Sequence, residues 1–389
     1  MRVGICLFGA DGGKSGISRY ILQLLAELAR TRPGAELELV GFESERELFL
    51  PEGVSWSFIG YGDWLRHPVV NLVWHQIVLP VLCHLRGWDV VFIPSGNRRL
   101  PAWVPCPVVG TVHDFASLRV EGKYDGWRGF YIAKLLPALV RRLDRVITVS
   151  ESSRADILDI TGVAPSRVDV IPLGVDGSRY RRRSANPAAL SKYGIRTPFV
   201  LYVSRIESPG KNHIRLIRAF DRVKVPHQLV IAGSDWTRAA DVHAEADKAR
   251  CREDIRFTGF VPDEDLAALY SAADAFVFPS LYEGFGLPIL EAMASGIPVA
   301  CSNTSSMPEV AGGAALLFDP YSQDQIESIL AALLGDEKQR SRLVAAGSAR
   351  ATALRWSAVA SRTWSVLEQA TYRKSDAGEL ASRQAVDAQ

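Results

Sequence analysis

Short, largely apolar runs rich in β-branched residues constrain this chain more than any other feature. RVGICLF, ELELVGF, DVVFIPS, CPVVGTV, RVITVS and DVIPL follow one another through the first half, with helix-period segments such as 16–32 between several of them. A strand with one wet face alternates apolar and polar residues. A strand apolar throughout is covered on both faces, which marks a parallel sheet between two layers of helices. The first half is therefore expected to be an open α/β sheet.

The pattern lapses at 174–198 into GVDGSRYRRRSANPAALSKYGIRTP, rich in Gly, Pro, Ser and charge as a connecting segment should be. It then restarts with FVLYVSR, QLVIAGS, IRFTGF, AFVFPS, PVACS and AALLF. Two Rossmann-like α/β domains in series are expected, 1–178 and 199–356 with a linker at 179–198, and 389 residues suit that number. A helix over 357–372, with Val359, Trp364, Val366 and Leu367 apolar, is expected to pack back on the first domain, followed by a mobile polar tail at 373–389. Ligands of such sheets lie at the carboxyl ends of the strands, so a site between the two halves is expected.

Composition narrows the function. With 48% hydrophobic and 23% charged residues the chain is globular, and a net charge of +2 gives no field that would recruit nucleic acid. Five scattered cysteines without a C-x-x-C pair indicate neither a disulfide framework nor a thiolate metal site. The opening apolar run meets Asp11 and Lys14 too soon for a signal peptide, so a cytoplasmic protein is expected. The apolar stretch 64–88 is interrupted by Arg66, His67, His75, Gln76, Pro80, His84 and Arg86, and is not read as a membrane span. Between Trp64 and Arg183, however, 17 Lys and Arg stand against 10 Asp and Glu. They are interleaved with Trp64, Trp74, Trp88, Trp103, Trp127, Phe130 and Tyr131. That mixture suits an anionic membrane surface.

The densest motif is FVFPSLYEGFGLPILEAMASGIPV at 276–299. A strand ends at Pro279, a loop carries Glu283, and Gly284-Phe285-Gly286 leads into a helix whose Pro288 is pre-organised for the first turn. Such a loop delivers backbone N–H groups to a helix N-terminus that favours anions. Glu291 follows eight positions after Glu283, in the expected first turn, and two carboxylates there can accept sugar or ribose hydroxyls. In YVSRIESPGKNH, Arg205 ends a strand and Lys211 precedes a helix, a placement able to clamp a diphosphate. In CPVVGTVHDF, His113 follows a buried strand at its carboxyl end. GADGGKSGISRY is a Gly-rich turn that misses the P-loop pattern, having Phe8 where a Gly is required. Asp263-Glu264-Asp265 matches a cation-binding D-x-D but opens a helix, where acids suit the dipole without any metal.

Together these residues resemble glycosyltransferase family 4, the retaining enzymes of GT-B fold. The likeness rests on Glu283 and Glu291 as the E-x7-E signature within GFGLPILEAMASG, on Arg205 and Lys211, and on IPLGVD, IAGS and FTGFVPDEDLAALYSAAD. It is looser in the first half, where the Gly-rich opening, TVHDF and VITVSESSRADI carry it. The resemblance implies two Rossmann-like domains facing across a cleft. It implies that Arg205 and Lys211 bind the donor diphosphate and that Glu291 holds the ribose. Glu283 with the backbone of Gly284, Phe285, Gly286 and Leu287 would hold the transferred sugar, and Val261 would meet the base. Gly12, Gly13 and Gly16 would approach the sugar phosphate, and His113 would stand beside the reacting carbon. It further implies no metal or other cofactor, retention by front-face displacement, and a nucleotide-sugar hexosyltransferase building a surface glycan on a saccharide acceptor, lipid-linked by expectation. GDP-mannose is the donor favoured on that analogy. The SPG run before Lys211 departs from many relatives. A sugar-nucleotide epimerase or a phosphorylase of the same fold, or an inactive nucleotide-sugar-binding module, are the alternatives.

Overall fold

The computed structural model describes residues 1–13, 15–119, 131–183 and 186–386, so Lys14, Trp127 and Phe130 lie outside the described residues. The chain forms two units. Unit 1 comprises residues to Leu118, 131–173 and Trp356 onward, and unit 2 comprises Gly174–Arg355. The chain passes into unit 2 at Gly174, ahead of the expected 178, and the expected linker belongs to unit 2.

Unit 1 holds a seven-stranded sheet: β1 (Arg2–Cys6), β2 (Glu36–Phe42), β3 (Ser57–Tyr61), β4 (Val90–Ile93), β5 (Val108–Thr111), β6 (Arg145–Thr148) and β7 (Val168–Val170). Their order is β3-β2-β1-β4-β5-β6-β7, every pair parallel. Unit 2 repeats the plan with β8 (Phe199–Val203), β9 (Gln228–Ala232), β10 (Ile255–Gly259), β11 (Ala275–Phe278), β12 (Val299–Ser302) and β13 (Leu316–Phe318). Their order is β10-β9-β8-β11-β12-β13, again parallel. Both orders reverse beside the first strand of the unit. The carboxyl ends of β1 and β4, and of β8 and β11, are thus topological switch points, where crossovers diverge and leave a crevice.

The apolar runs are these strands, and β1, β4, β5, β6, β8, β9, β11 and β12 are buried almost throughout. The sequence does not announce β3. It is an edge strand, partly exposed, and its SFIGY lacks a continuous apolar run. The core of unit 1 runs from Phe8, Val40 and Phe42 through Trp74, Leu79 and Trp88 to Ile93 and Val146. Trp74, Trp88 and Tyr131, read above as candidate interfacial residues, are therefore core residues. Cys83 on the Pro68–Arg86 helix and Cys106 before β5 are joined as a disulfide, which the sequence does not indicate. Packing of that helix over the sheet brings them together, and a separation of 23 residues carries no signal of it. The final helix, Trp356–Val386, packs on the Gly16–Thr31 helix of unit 1 and continues beyond the expected residue 372.

Candidate active site

The switch point of unit 2 is built from two loops. After β8 the chain passes through Ser204, Arg205 and the cis Ser208–Pro209 bond to Lys211, and then enters the His213–Phe220 helix. Gly233, after β9, has φ +155°, and a Cβ there would collide with the Ser204 carbonyl, so a side chain at 233 would displace the start of the Arg205 loop. Arg205 lies 4.9 Å from the centre of the Trp236 ring and 3.5 Å from the buried Glu207 carboxylate.

After β11 the second loop runs from Pro279 to Gly286. The two loops are stitched together. Leu281 N–H donates to Gly210 O at 2.9 Å and Asn212 Nδ2 donates to Pro279 O at 3.0 Å, while Tyr202 Oη of β8 braces the first loop by donating to Lys211 O at 2.6 Å. Across this seam Lys211 Nζ donates to Glu283 Oε1 at 2.6 Å, each side chain 16% exposed. Two residues assigned on sequence to different parts of one ligand are thus an ion pair. A phosphate approaching Lys211 meets a lysine already engaged by a carboxylate, and must share or displace it.

Serines behind the loop fix its backbone. Ser306 Oγ donates to Glu283 O at 2.9 Å and to Phe285 O at 2.7 Å, alternative acceptors for one hydroxyl, and Ser305 Oγ donates to Glu283 O at 2.5 Å. Gly286 then sits at φ +104°, the conformation at which the chain turns into the Leu287–Ala294 helix with Pro288 in its first turn. The first N–H groups of that helix have no partner within it. Glu291 is not in the first turn, as expected from sequence, but in the second, because the helix begins only at Leu287. It is buried and accepts a hydrogen bond from Tyr270 Oη at 3.0 Å. Val261, after β10, is also buried, and the open apolar surface there belongs to Phe260.

Unit 1 carries the remaining candidates after β1 and β5, at the carboxyl edge of its sheet. His113 follows β5 and is buried against Tyr20, ring centroids 4.9 Å apart, with Nε2 3.0 Å from Pro94 O. The carbonyl accepts if Nε2 carries the proton, which leaves Nδ1 the basic nitrogen. Burial holds the imidazole pKa below its ordinary value, so it is neutral near pH 7. Asn97 clamps the segment, accepting from His113 N–H at 2.8 Å and donating to Asp114 O at 2.7 Å. In the Gly-rich turn Gly12 and Gly13 have φ of +62° and +84°, and a Cβ at Gly16 would meet nothing within 4 Å. Ser15 caps the following helix, its Oγ accepting from Ser18 N–H at 3.3 Å.

The D-x-D residues are occupied by partners within unit 2. Asp263 pairs with Arg179, and Asp265 with Lys192 Nζ at 2.6 Å and Tyr193 Oη at 2.7 Å. Among the described residues no cluster of His, Cys, Asp and Glu could hold a metal ion. Sequence reasoning did not find Glu207, Trp236, Tyr270, Ser305 or Ser306. Trp236, Tyr270, Ser305 and Ser306 contact their partners across strand order, which no local motif records, whereas Glu207 lies two residues from Arg205.

A doubly wound pair of parallel sheets whose second switch point presents a paired lysine and glutamate at a helix start defines a GT-B glycosyltransferase. The molecule superimposes on the Anabaena protein Alr3699/HepE in complex with UDP and glucose with a TM-score of 0.72 over 95% of this chain and all of that one, at 18% identity. Residues 190–350 match the model for glycosyl transferases group 1, and residues 14–179 match that for glycosyltransferase family 4. The chain is 35% identical to the Escherichia coli O-antigen chain mannosyltransferase B, over 88% of its own length and 93% of that protein's. It is 33% identical to the serotype-specific mannosyltransferase WbdA of Escherichia coli over 68% of this chain, and that match spans 33% of WbdA. The chain belongs to glycosyltransferase family 4, and it is a glycosyltransferase.

Proposed function

We propose that this enzyme transfers a hexose, with retention of anomeric configuration, from a nucleotide sugar to a saccharide acceptor during assembly of a surface polysaccharide. The observation that carries the reading is the Lys211–Glu283 pair held over the start of the Leu287–Ala294 helix. Lys211 and Arg205 present two cations to a diphosphate, whose charge grows as the sugar leaves. Glu283 accepts sugar hydroxyls, with the N–H groups of 285–287 beside it. Glu291, oriented by Tyr270, accepts the ribose hydroxyls. In unit 1, His113 is neutral and clamped, with a ring nitrogen suited to a sugar hydroxyl, and the turn at Gly12, Gly13 and Gly16 has a bare backbone suited to a phosphate. Fixed cations take the part that a metal plays elsewhere, so transfer requires no metal.

Likeness to a mannosyltransferase over nearly the whole chain supports mannose, and GDP-mannose is the donor proposed. The test is a screen of GDP, UDP, dTDP and ADP sugars, read as thermal shift and nucleotide release with a mannose-terminated oligosaccharide, in the presence of EDTA. GDP-mannose is expected to give release, and the product's anomeric configuration, read by NMR, is expected to match the donor's. Release from another donor alone would replace GDP-mannose, and abolition by EDTA with recovery in manganese would overturn metal independence.

A further inference from the structure

The Pro68–Arg86 helix has an outer face unlike that of a soluble helix. Val69, Val73, Ile77, Val81 and Leu85 recur every four residues and are 56, 48, 60, 52 and 74% exposed. Solvent-facing positions of a globular helix are ordinarily polar. By length and composition alone the helix could cross a bilayer. Its other face prevents that, because Trp74, Leu79 and Cys83 are part of the unit 1 core, and Asn71 and His75 are buried beside them, the Asn71 carbonyl 2.7 Å from His75 Nδ1. Spanning a membrane would dismantle the core. The helix can only lie flat, about 28 Å long at 1.5 Å per residue.

Its borders are equally specific. Trp64, in the turn just before the helix, is 65% exposed. Trp103 is 68% exposed, on a loop clipped to the helix by Gln76, whose Nε2 donates to Leu100 O at 3.0 Å and whose Oε1 accepts from Ala102 N–H at 2.7 Å. Arg142 donates to Ala102 O at 3.3 Å, which puts a cation beside Trp103. No Asp or Glu occurs between Trp64 and Trp88, or between Val90 and His113. Arg66 is neutralised by Glu45 and Asp63, and Arg86 by Glu38, but no carboxylate among the described residues pairs with the exposed Arg141 or Arg142.

We propose that this face docks on an anionic membrane. The helix lies in the headgroup region with its aliphatic row inward, Trp64 and Trp103 at the interface, and Arg141 and Arg142 over lipid phosphates. The charge pattern argues against a second copy as the occupant. A two-fold interface would set the patch against itself, and the 64–88 and 90–113 stretches that make up most of it hold no carboxylate to meet Arg141 and Arg142. The proposal is independent of the donor, because binding is read without turnover.

The experiment is co-sedimentation with phosphatidylcholine vesicles, with and without phosphatidylglycerol, at low and high salt. The protein is expected to pellet with phosphatidylglycerol at low salt and to be released as salt rises. An Ile77→Glu/Val81→Glu variant, which only makes an exposed row polar, is expected to bind at least tenfold more weakly while transferring sugar to a water-soluble acceptor at the native rate. Arg141→Glu/Arg142→Glu should lose the preference for phosphatidylglycerol. Brominated lipid should quench a part of the fluorescence that is missing in Trp103→Phe. Protein that stays in the supernatant at low salt, or a double glutamate variant that binds like the native protein, would overturn the proposal. Equal binding to neutral vesicles would overturn its anionic part. A native dimer that the variant converts to monomer, without vesicle binding, would assign the face to a second copy instead.

Discussion

At the scale of single residues, the Lys211–Glu283 pair carries the proposed chemistry. Both partners are mostly shielded from water, so each charge is compensated chiefly by the other. Lys211→Ala leaves a carboxylate facing the incoming diphosphate with no cation between them. A charge-assisted contact of this kind is worth about 1.5–3 kcal/mol, so kcat/KM is expected to fall by roughly one to two orders of magnitude. Glu283→Gln frees the lysine for phosphate, and should bind free nucleoside diphosphate at least as tightly as the native protein while transferring sugar poorly. Calorimetry in which both variants lose nucleotide affinity equally would contradict that division. Glu291→Ala is expected to weaken binding of the same free nucleotide, and Tyr270→Phe to do so by a smaller factor, since it removes one hydrogen bond of 3.0 Å and leaves the carboxylate. The candidate residues were legible, because Glu283, Glu291, Arg205 and Lys211 belong to contiguous motifs. Their supports were not. Tyr270 reaches Glu291 from the Asp263–Ala272 helix, and Trp236 reaches Arg205 from the loop after β9, so only tertiary packing makes them partners.

At the scale of elements, the loop from Pro279 to Gly286 holds its shape through Ser306. That hydroxyl is fully buried and spans the carbonyls of Glu283 and Phe285, the residues whose backbone frames the proposed sugar site. Ser306→Ala removes the hydroxyl that donates to Phe285 O while Glu283 O keeps Ser305 Oγ, at a cost of about 1–3 kcal/mol. The expected outcome is a lower kcat with a modestly lower melting temperature and a KM for donor that changes less than kcat. A variant indistinguishable from the native enzyme would show that the loop is held by Ser305 and the Gly286 turn alone. Element reading succeeded wherever burial on two faces wrote an uninterrupted apolar run, as in FVLYV of β8 and AFVF of β11. It failed where burial is one-sided. SFIGY of β3 is at an edge, and the Ala239–Lys248 helix, with its buried Ala239, Val242 and Ala246, offers too short a stripe to stand out.

At the scale of the whole molecule, the repetition of one strand grammar across 174–198 made two units legible, whereas the disulfide and the apolar outer row of the Pro68–Arg86 helix appear only once the helix is packed. Both units also share a dependence on pH that follows from buried imidazoles. In unit 1 His75 is fully enclosed, and burial lowers its pKa from 6.5 to about 4; in unit 2 burial lowers that of His213 to about 3. Below 6.5 the unfolded chain takes up protons at these positions and the folded one does not, so unfolding is favoured as pH falls. The stabilisation is complete above 6.5 and is lost through the window down to the folded values, about 3 kcal/mol for His75 by the end of it. His113 and His227, whose pKa values burial also lowers, act in the same direction. Carboxylates such as Glu38, ordinarily near 4.5 and lowered chiefly by the hydrogen bond from Arg86, add only at the acid end. Melting temperature is therefore expected to fall steadily from about pH 7 to about pH 5, a range in which carboxylates hardly titrate. His75→Gln should flatten that slope, because an amide in place of the imidazole gains no proton in the unfolded chain, although the lost hydrogen bond to Asn71 O lowers its stability at neutral pH. A native melting temperature constant across this range, or a slope unchanged in His75→Gln, would mean that the buried histidines are not what couples this fold to pH.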